Sequence, residues 1–141
     1  MKESLKKLET IKEQLIRHEG RRTRPYVDTV GKITIGIGHN LTDNGLPDFI
    51  IDLLYEHDMK GVIQNLDTNL SWWREQPENI RNALMDLCFN MGIGGLLGFH
   101  RFLQALKDKN YLNAAMELQD SRWFQQVGFR GPELVNQVRN G

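Results

Sequence analysis

The first clear pattern along the chain is an apolar stripe at spacings of three and four residues. Its members are Leu5, Leu8, Ile11, Leu15 and Ile16, with charged and amide side chains between them. This spacing predicts an amphipathic helix. Glu19 continues the stripe, which would leave its carboxyl group partly removed from water, and Gly20 is a typical residue to end the helix. A desolvated carboxyl group keeps its proton more readily, as a general acid must.

A second pattern, of period two, runs from Lys32 to His39 and predicts a strand that follows a turn over 28–31. The isoleucines would take one face of this strand. Thr34, Gly36 and Gly38 would take the other, which is then a nearly bare strip of backbone with one projecting hydroxyl. We expect this strip to be either a packing face for small residues or, beside Glu19, a floor for substrate.

The rest of the chain predicts mainly helices. In order, the predicted segments are a loop over 42–47, a long helix capped by Asp48 that carries Val62 and Leu66, a core helix after Pro77 through Leu84 and Leu87, a glycine-rich turn over 92–98, a helix through Phe102 and Leu106 and a helix over about 112–118. Trp123 is expected in the core rather than as a platform for a sugar.

Composition narrows the class of protein. The chain has 141 residues, 40% of them hydrophobic, and no run that approaches the roughly 20 apolar residues of a membrane helix. We therefore expect one globular domain over 1–141 and no membrane insertion. The charged N-terminus resembles neither a secretory signal peptide nor a signal-arrest-release segment. The single cysteine, Cys88, has apolar neighbours and is expected to be a core thiol, without a disulfide.

Charge and histidine spacing exclude further classes of ligand. The net charge is zero, so long-range attraction to an anionic partner should be weak, and no nucleic-acid partner is expected. His18, His39 and His57 lack the compact spacing of a zinc site. We expect neither a metal nor a cofactor.

Three blocks of this sequence resemble the phage-type lysozymes, a family of endolysins. The blocks are the set Glu19, Asp28 and Thr34 within a segment that ends in Thr34-Ile35-Gly36-Ile37-Gly38-His39, the run Ala83–Gly92, and the run Ser121–Gln126. The spacing of nine and then six residues in the first block is the most specific of these signals. The resemblance extends from about Ile11 to the C-terminus.

The resemblance implies a lysozyme-like α+β fold that is mainly helical. A small β-hairpin lobe would cover about 20–48 and a connecting helix about 48–66. The larger helical lobe would cover about 70–141 together with the N-terminal helix, and a substrate cleft would separate the two lobes.

The resemblance also implies a muramidase that hydrolyses the β-1,4 bond between N-acetylmuramic acid and N-acetylglucosamine in peptidoglycan. Glu19 would be the general acid. Asp28 would stabilise the oxocarbenium-like transition state and help to activate water, and Thr34 would help to hold that water. By the same analogy the reaction inverts the anomeric carbon.

Further residues acquire roles only through the resemblance. Leu41, Phe89 and Asn90 match positions that contact substrate, and Asn90 stands where the family has a longer amide. His39 would pair with Asp58 and tie the small lobe to the long helix.

The biological setting is inferred in the same way. The protein would be a monomer that binds bacterial peptidoglycan, accumulates in the host cytoplasm and reaches the wall through holin lesions, with bacteriolytic and antimicrobial action. Two other functions stay open: a lytic transglycosylase, which needs neither Asp28 nor Thr34, and an inactive peptidoglycan-binding domain. Retention of Glu19 and Asp28 argues against the inactive domain.

Overall fold

The computed structural model describes residues 8–141. The part of the predicted first helix that precedes Leu8, including Leu5, lies outside this range. The chain divides into two compact units, one running to Ile51 and the other covering Asp52–Gly141. Helices dominate, with one small antiparallel sheet of three strands, which confirms the predicted lysozyme-like α+β fold class.

The first unit holds one helix, the sheet and a short second helix. Its elements are α1 (Ile11–Glu19), β1 (Arg22–Val27), β2 (Ile33–Gly36), β3 (His39–Asn40) and α2 (Leu41–Asn44). The central strand is β2. It pairs through Thr34 with Tyr26 of β1 on one side and with Asn40 of β3 on the other.

Helix α1 begins and ends where the pattern predicts, but its stripe is not buried. The Thr10 side chain accepts a hydrogen bond from the Glu13 N–H and caps the start, while Gly20, at φ 82°, ends the helix. No residue of α1 is buried, and Glu19 is exposed. The expectation of a desolvated Glu19 is therefore wrong in this structure: periodicity shows which face is apolar, and not what covers that face.

The predicted strand over 32–39 is interrupted by a tight turn. Gly36 and Gly38 both have φ 68°, so β2 ends at Gly36, the chain reverses, and β3 begins at His39. Left-handed backbone of this kind suits glycine, and it ends the alternation of faces that the pattern suggested. Thr34 is only 3% exposed and its hydroxyl donates to the Lys32 carbonyl at 3.0 Å. The prediction that the Thr34 hydroxyl projects from a bare strip of backbone is therefore also wrong.

Helix α2 replaces the first half of the predicted loop over 42–47. The Asn40 side chain accepts from the Asp43 N–H at 3.0 Å and starts one helical turn, which Gly45 ends. Helix α3 then covers Asp48–Asn69, three residues beyond the predicted end at 66. Asp48 lies in the first turn of α3 rather than at the cap, where its negative charge still suits the helix N-terminus.

The second unit contains the rest of α3 and the remaining helices. These are a 3₁₀ turn (Trp73–Glu75), α4 (Glu78–Leu97), α5 (His100–Lys107), α6 (Tyr111–Gln119), α7 (Arg122–Gln126) and α8 (Arg130–Arg139). Most of the predicted turn over 92–98 is helical: Gly92, which has φ 77° and ψ 164°, breaks α4, and Gly98 caps its end.

The hydrophobic core lies in this second unit. Its fully buried side chains include Leu66, Ile80, Leu84, Leu87, Leu96, Phe102, Leu106, Leu118 and Val138. Cys88 is buried among them, as predicted, and burial raises the pKa of its thiol. Trp123 is buried too, which confirms its predicted place in the core.

Among residues 8–141, no single helix is long and apolar enough to cross a membrane. Only α4 and α5 taken together reach that length and composition, and they are bent by 107°.

Candidate active site

The first feature of the site is the contact between Glu19 and Gly38. A Cβ atom added to Gly38 would lie 3.0 Å from both Cγ and Oε2 of Glu19. Ordinary carbon contacts are about 3.5–4.0 Å, so only glycine leaves room for this carboxyl group. The turn between β2 and β3 therefore packs directly against the last residue of α1. The carboxyl group has no hydrogen-bond partner among residues 8–141 and stays accessible to a ligand.

Asp28 is held by the turn that joins β1 to β2. Its Oδ1 accepts hydrogen bonds from the Val30 N–H at 3.0 Å and the Lys32 N–H at 2.8 Å. The backbone N–H of Asp28 donates to the Lys32 carbonyl at 2.9 Å and closes the turn. These two hydrogen bonds fix the position of Oδ1 in the turn. Within the described residues Oδ2 has no such partner, so it can interact with water or a substrate.

Thr34 is connected to Asp28 through one residue. The Lys32 N–H bonds to Asp28, and the Lys32 carbonyl accepts from the Thr34 hydroxyl. The Thr34 hydroxyl therefore donates its one hydrogen bond to the backbone, and only its oxygen lone pairs can accept from another group. The structure thus gathers two of the three predicted catalytic residues around the backbone of Lys32.

Helix α2 is fastened to the same sheet. The Thr42 hydroxyl accepts from the Ile33 N–H at 2.8 Å, and the Lys32 ammonium group lies 3.1 Å from the Asp43 carboxylate. Leu41, predicted to contact substrate, is the first residue of α2 and is half-buried. These contacts hold Leu41 in the unit that carries Glu19 and Asp28.

His39 has a partner within its own unit. Its Nε2 lies 2.6 Å from the Gly45 carbonyl oxygen, which accepts at the end of α2. Asp58 is an exposed residue of α3, beside His57 and Phe89 at a cavity of about 450 Å³. The pairing of His39 with Asp58 stays a prediction.

The other two predicted substrate contacts lie on α4, just before its break at Gly92. Phe89 is 48% exposed and also lines a cavity of about 580 Å³ next to Met85. Asn90 is exposed, and its Oδ1 accepts a hydrogen bond from the Trp123 indole N–H at 2.8 Å. Both side chains can reach a ligand.

Comparison with known proteins shows the family of this chain. The family model described as phage lysozyme matches residues 16–140. The chain belongs to the phage lysozyme family. Its relatives include "Probable T4-type lysozyme 1" of Dictyostelium discoideum, 27% identical over 94% of this chain and 95% of that protein. "Probable T4-type lysozyme 2" of the same organism is 26% identical over the same shares.

A relative of a different kind is "Pre-baseplate central spike protein Gp5" of Enterobacteria phage T4. It is 25% identical over 92% of this chain, but only 27% of its own length is matched. Family membership makes the present chain a muramidase-type lysozyme, a glycosidase of a family that acts on peptidoglycan.

Sequence reasoning missed three contacts of the predicted site residues. It did not find the contact of Gly38 with Glu19, the central position of the Lys32 backbone, or the bond from Trp123 to Asn90. A glycine inside an apparent strand was the only signal for the first. Among residues 8–141, no group of three or more His, Cys, Asp or Glu side chains could hold a metal ion.

Proposed function

We propose that this lysozyme hydrolyses the β-1,4 bond between N-acetylmuramic acid and N-acetylglucosamine in peptidoglycan, with Glu19 as the general acid. The observation that carries the proposal is the position of the Glu19 carboxyl group against Gly38, in the same compact unit as a backbone-held Asp28. Two carboxyl groups in unlike surroundings are what glycoside hydrolysis needs.

The carboxyl group of Glu19 is accessible to a substrate. Its side chain receives no hydrogen bond from residues 8–141, and no cation forms an ion pair with it there. Packing against Gly38 limits where the carboxyl group can point. A protonated Glu19 would donate to the glycosidic oxygen as the bond breaks.

The surroundings of Asp28 suit the opposite role. Two backbone N–H groups hold one oxygen, which leaves the other oxygen for water or for the positive charge of the transition state. The lone pairs of the Thr34 hydroxyl would help to hold the attacking water, since its proton is bonded to Lys32. Attack by a held water inverts the anomeric carbon, and NMR of the first anomer released tests this.

Substrate contacts are proposed for three further residues. The exposed ring of Phe89 would pack against a sugar or an acetamido methyl group, and the amide of Asn90 would hydrogen-bond an acetamido group. Leu41 would add an apolar contact from the start of α2.

The experiment is mass spectrometry of soluble fragments released from purified peptidoglycan by the wild type and by Glu19→Gln. Gln is isosteric, and no hydrogen bond to Glu19 within residues 8–141 is lost. We expect reducing N-acetylmuramic acid ends from the wild type and a loss of about 10²–10⁴-fold in the variant. Glu13→Gln is the matched control, because Glu13 lies in the first turn of the same helix.

Other outcomes would replace the proposal. Anhydro-muramic ends from the wild type would identify a transglycosylase. Binding to peptidoglycan without any released fragment would identify a wall-binding domain. An active Glu19→Gln would remove Glu19 from the acid role.

We further propose that the enzyme is a monomer that accumulates in the host cytoplasm and reaches the wall through holin lesions, where it lyses the cell. The proposal rests on the resemblance of three blocks of the sequence to the endolysins. Fractionation of infected cells before and after holin triggering tests it, because the enzyme should appear in the periplasm only afterwards.

A further inference from the structure

The exposed amide of Asn90 is bonded to a buried indole. Trp123 is only 8% exposed, and its Nε1–H donates to Asn90 Oδ1 at 2.8 Å, across a sequence separation of 33 residues. Asn90 itself is accessible, two residues before the break of α4 at Gly92. One end of this hydrogen bond therefore lies in the core and the other at the surface.

The chemistry of the indole decides which way the amide faces. An indole N–H can only donate, whereas an amide has a carbonyl oxygen on one side and two N–H donors on the other. The Asn90 oxygen must therefore turn towards Trp123, and its NH₂ group must turn away. Within residues 8–141 no acceptor is bonded to that NH₂ group, so its two donors are available to a ligand.

The indole is itself held in place. The Ser121 hydroxyl accepts from the Phe124 N–H at 3.2 Å and donates to the Leu118 carbonyl at 2.6 Å, which fixes the start of α7. A buried ring on a capped helix has little freedom to turn. Trp123 can therefore set the orientation of the amide rather than follow it.

We propose that Trp123 is a positioning residue for substrate: it holds the Asn90 amide with its N–H groups outward, so that this position selects a carbonyl oxygen, such as that of an acetamido group. The inference rests on the proposed function, since it takes the amino sugars of peptidoglycan as the ligand. Trp123 acts through Asn90 and does not itself contact the sugar.

The test is binding by full-length Glu19→Gln, which should bind glycan strands without cleaving them. The probe is soluble, uncross-linked peptidoglycan strands, compared with the same strands after removal of the N-acetyl groups. In this background Trp123→Phe keeps a buried ring and removes the N–H. We expect it to weaken binding of acetylated strands about fivefold, within the range of one hydrogen bond, with little change for de-acetylated strands.

A second variant, at an exposed residue, tests the outward amide donor without changing the core. Asn90→Asp keeps an oxygen for the Trp123 N–H but has no outward donor at neutral pH. Because the residue is exposed, this variant should fold, and it should lose the preference for acetylated strands. Combining Trp123→Phe with Asn90→Ala should weaken the binding of acetylated strands no more than Asn90→Ala alone, because the indole acts only through the amide.

The chain offers a matched control in Trp73. This residue is 3% exposed, and its indole N–H donates to Asp67 Oδ1 at 2.8 Å. Trp73→Phe thus also removes an indole N–H hydrogen bond from a buried tryptophan, here one to a carboxylate, and it should leave the preference for acetylated strands intact. Unfolding midpoints of the two Trp→Phe variants show whether stability is matched.

Several results would overturn the proposal. One is an unchanged preference for acetylated strands in Trp123→Phe or Asn90→Asp, and another is an equal loss of this preference in Trp73→Phe. The others are additive losses of affinity in the double variant, or no preference for acetylated strands in Glu19→Gln itself. Failure of the proposed function is separate: the wild type would release no reducing ends, yet acetyl-selective binding that depends on Trp123 would persist.

Discussion

Replacement of Gly38 by Ala tests how closely the β2–β3 turn confines the Glu19 carboxyl group. An alanine at φ 68° costs about 1–2 kcal/mol of unfolding free energy, because its Cβ crowds the following carbonyl in left-handed backbone. The same Cβ would lie 3.0 Å from Cγ and Oε2 of Glu19. To restore ordinary contact, the carboxyl group must move by about 0.5–1 Å.

This movement should reduce catalysis more than stability. Glu19 is an exposed, flexible side chain, so it can move aside at little further cost in unfolding free energy. A reacting group that is misplaced by about 1 Å can lose about 10²-fold in rate. We therefore expect kcat/KM for peptidoglycan to fall about 10- to 100-fold, measured by release of reducing ends well below the unfolding temperature.

Gly36→Ala is the control, since Gly36 has the same φ of 68° but a Cβ there meets no atom within 4 Å. Both variants should lose similar unfolding free energy in urea, and only Gly38→Ala should lose most of its activity. Equal kcat/KM values for the two variants would refute the contact argument.

Three further predictions concern charge, the core and the second carboxylate. Hydrogen bonds, chiefly from Arg74, hold the pKa of Asp67 at about 2, below its ordinary 3.8. Asp67→Asn should therefore lower the unfolding free energy in urea near neutral pH. The difference between wild type and variant should vanish as pH falls through about 2. Leu87→Ala, at a fully buried site, should cost about 2–5 kcal/mol in urea unfolding, whereas Leu112→Ala, at a 62% exposed site, should cost little. Asp28→Asn keeps an oxygen for the turn but loses its charge, so it should fold normally and lose about 10²–10⁴-fold in release of reducing ends; full activity would contradict the proposed mechanism.

Helices of the second unit were the most predictable part of the fold. Leu84 and Leu87 recur at helical spacing and are fully buried on α4, as expected. The reason is that a period near 3.6 records directly which face of a helix meets the core. The same rule located α1 but could not show that its stripe would be exposed.

Glycines were the least predictable part. Gly36 and Gly38 fit an alternating strand as well as a turn, because a residue without a side chain does not reveal the sign of φ. The strand over 32–39 was therefore predicted too long. Likewise, the cap from Asn40 that makes α2 a helix was hidden in a segment with the composition of a loop.

By itself, the sequence determined the family, the helical pattern of the second unit and the order of Glu19, Asp28 and Thr34 along the chain. These depend on residue identity and on near neighbours. Only the tertiary structure decided that Gly38 packs against Glu19, that Thr34 is buried and bonded to Lys32, and that Trp123 is bonded to Asn90. Gly38 lies 19 positions from Glu19 along the chain, and Trp123 lies 33 positions from Asn90. Such contacts are set by packing, which no local pattern records.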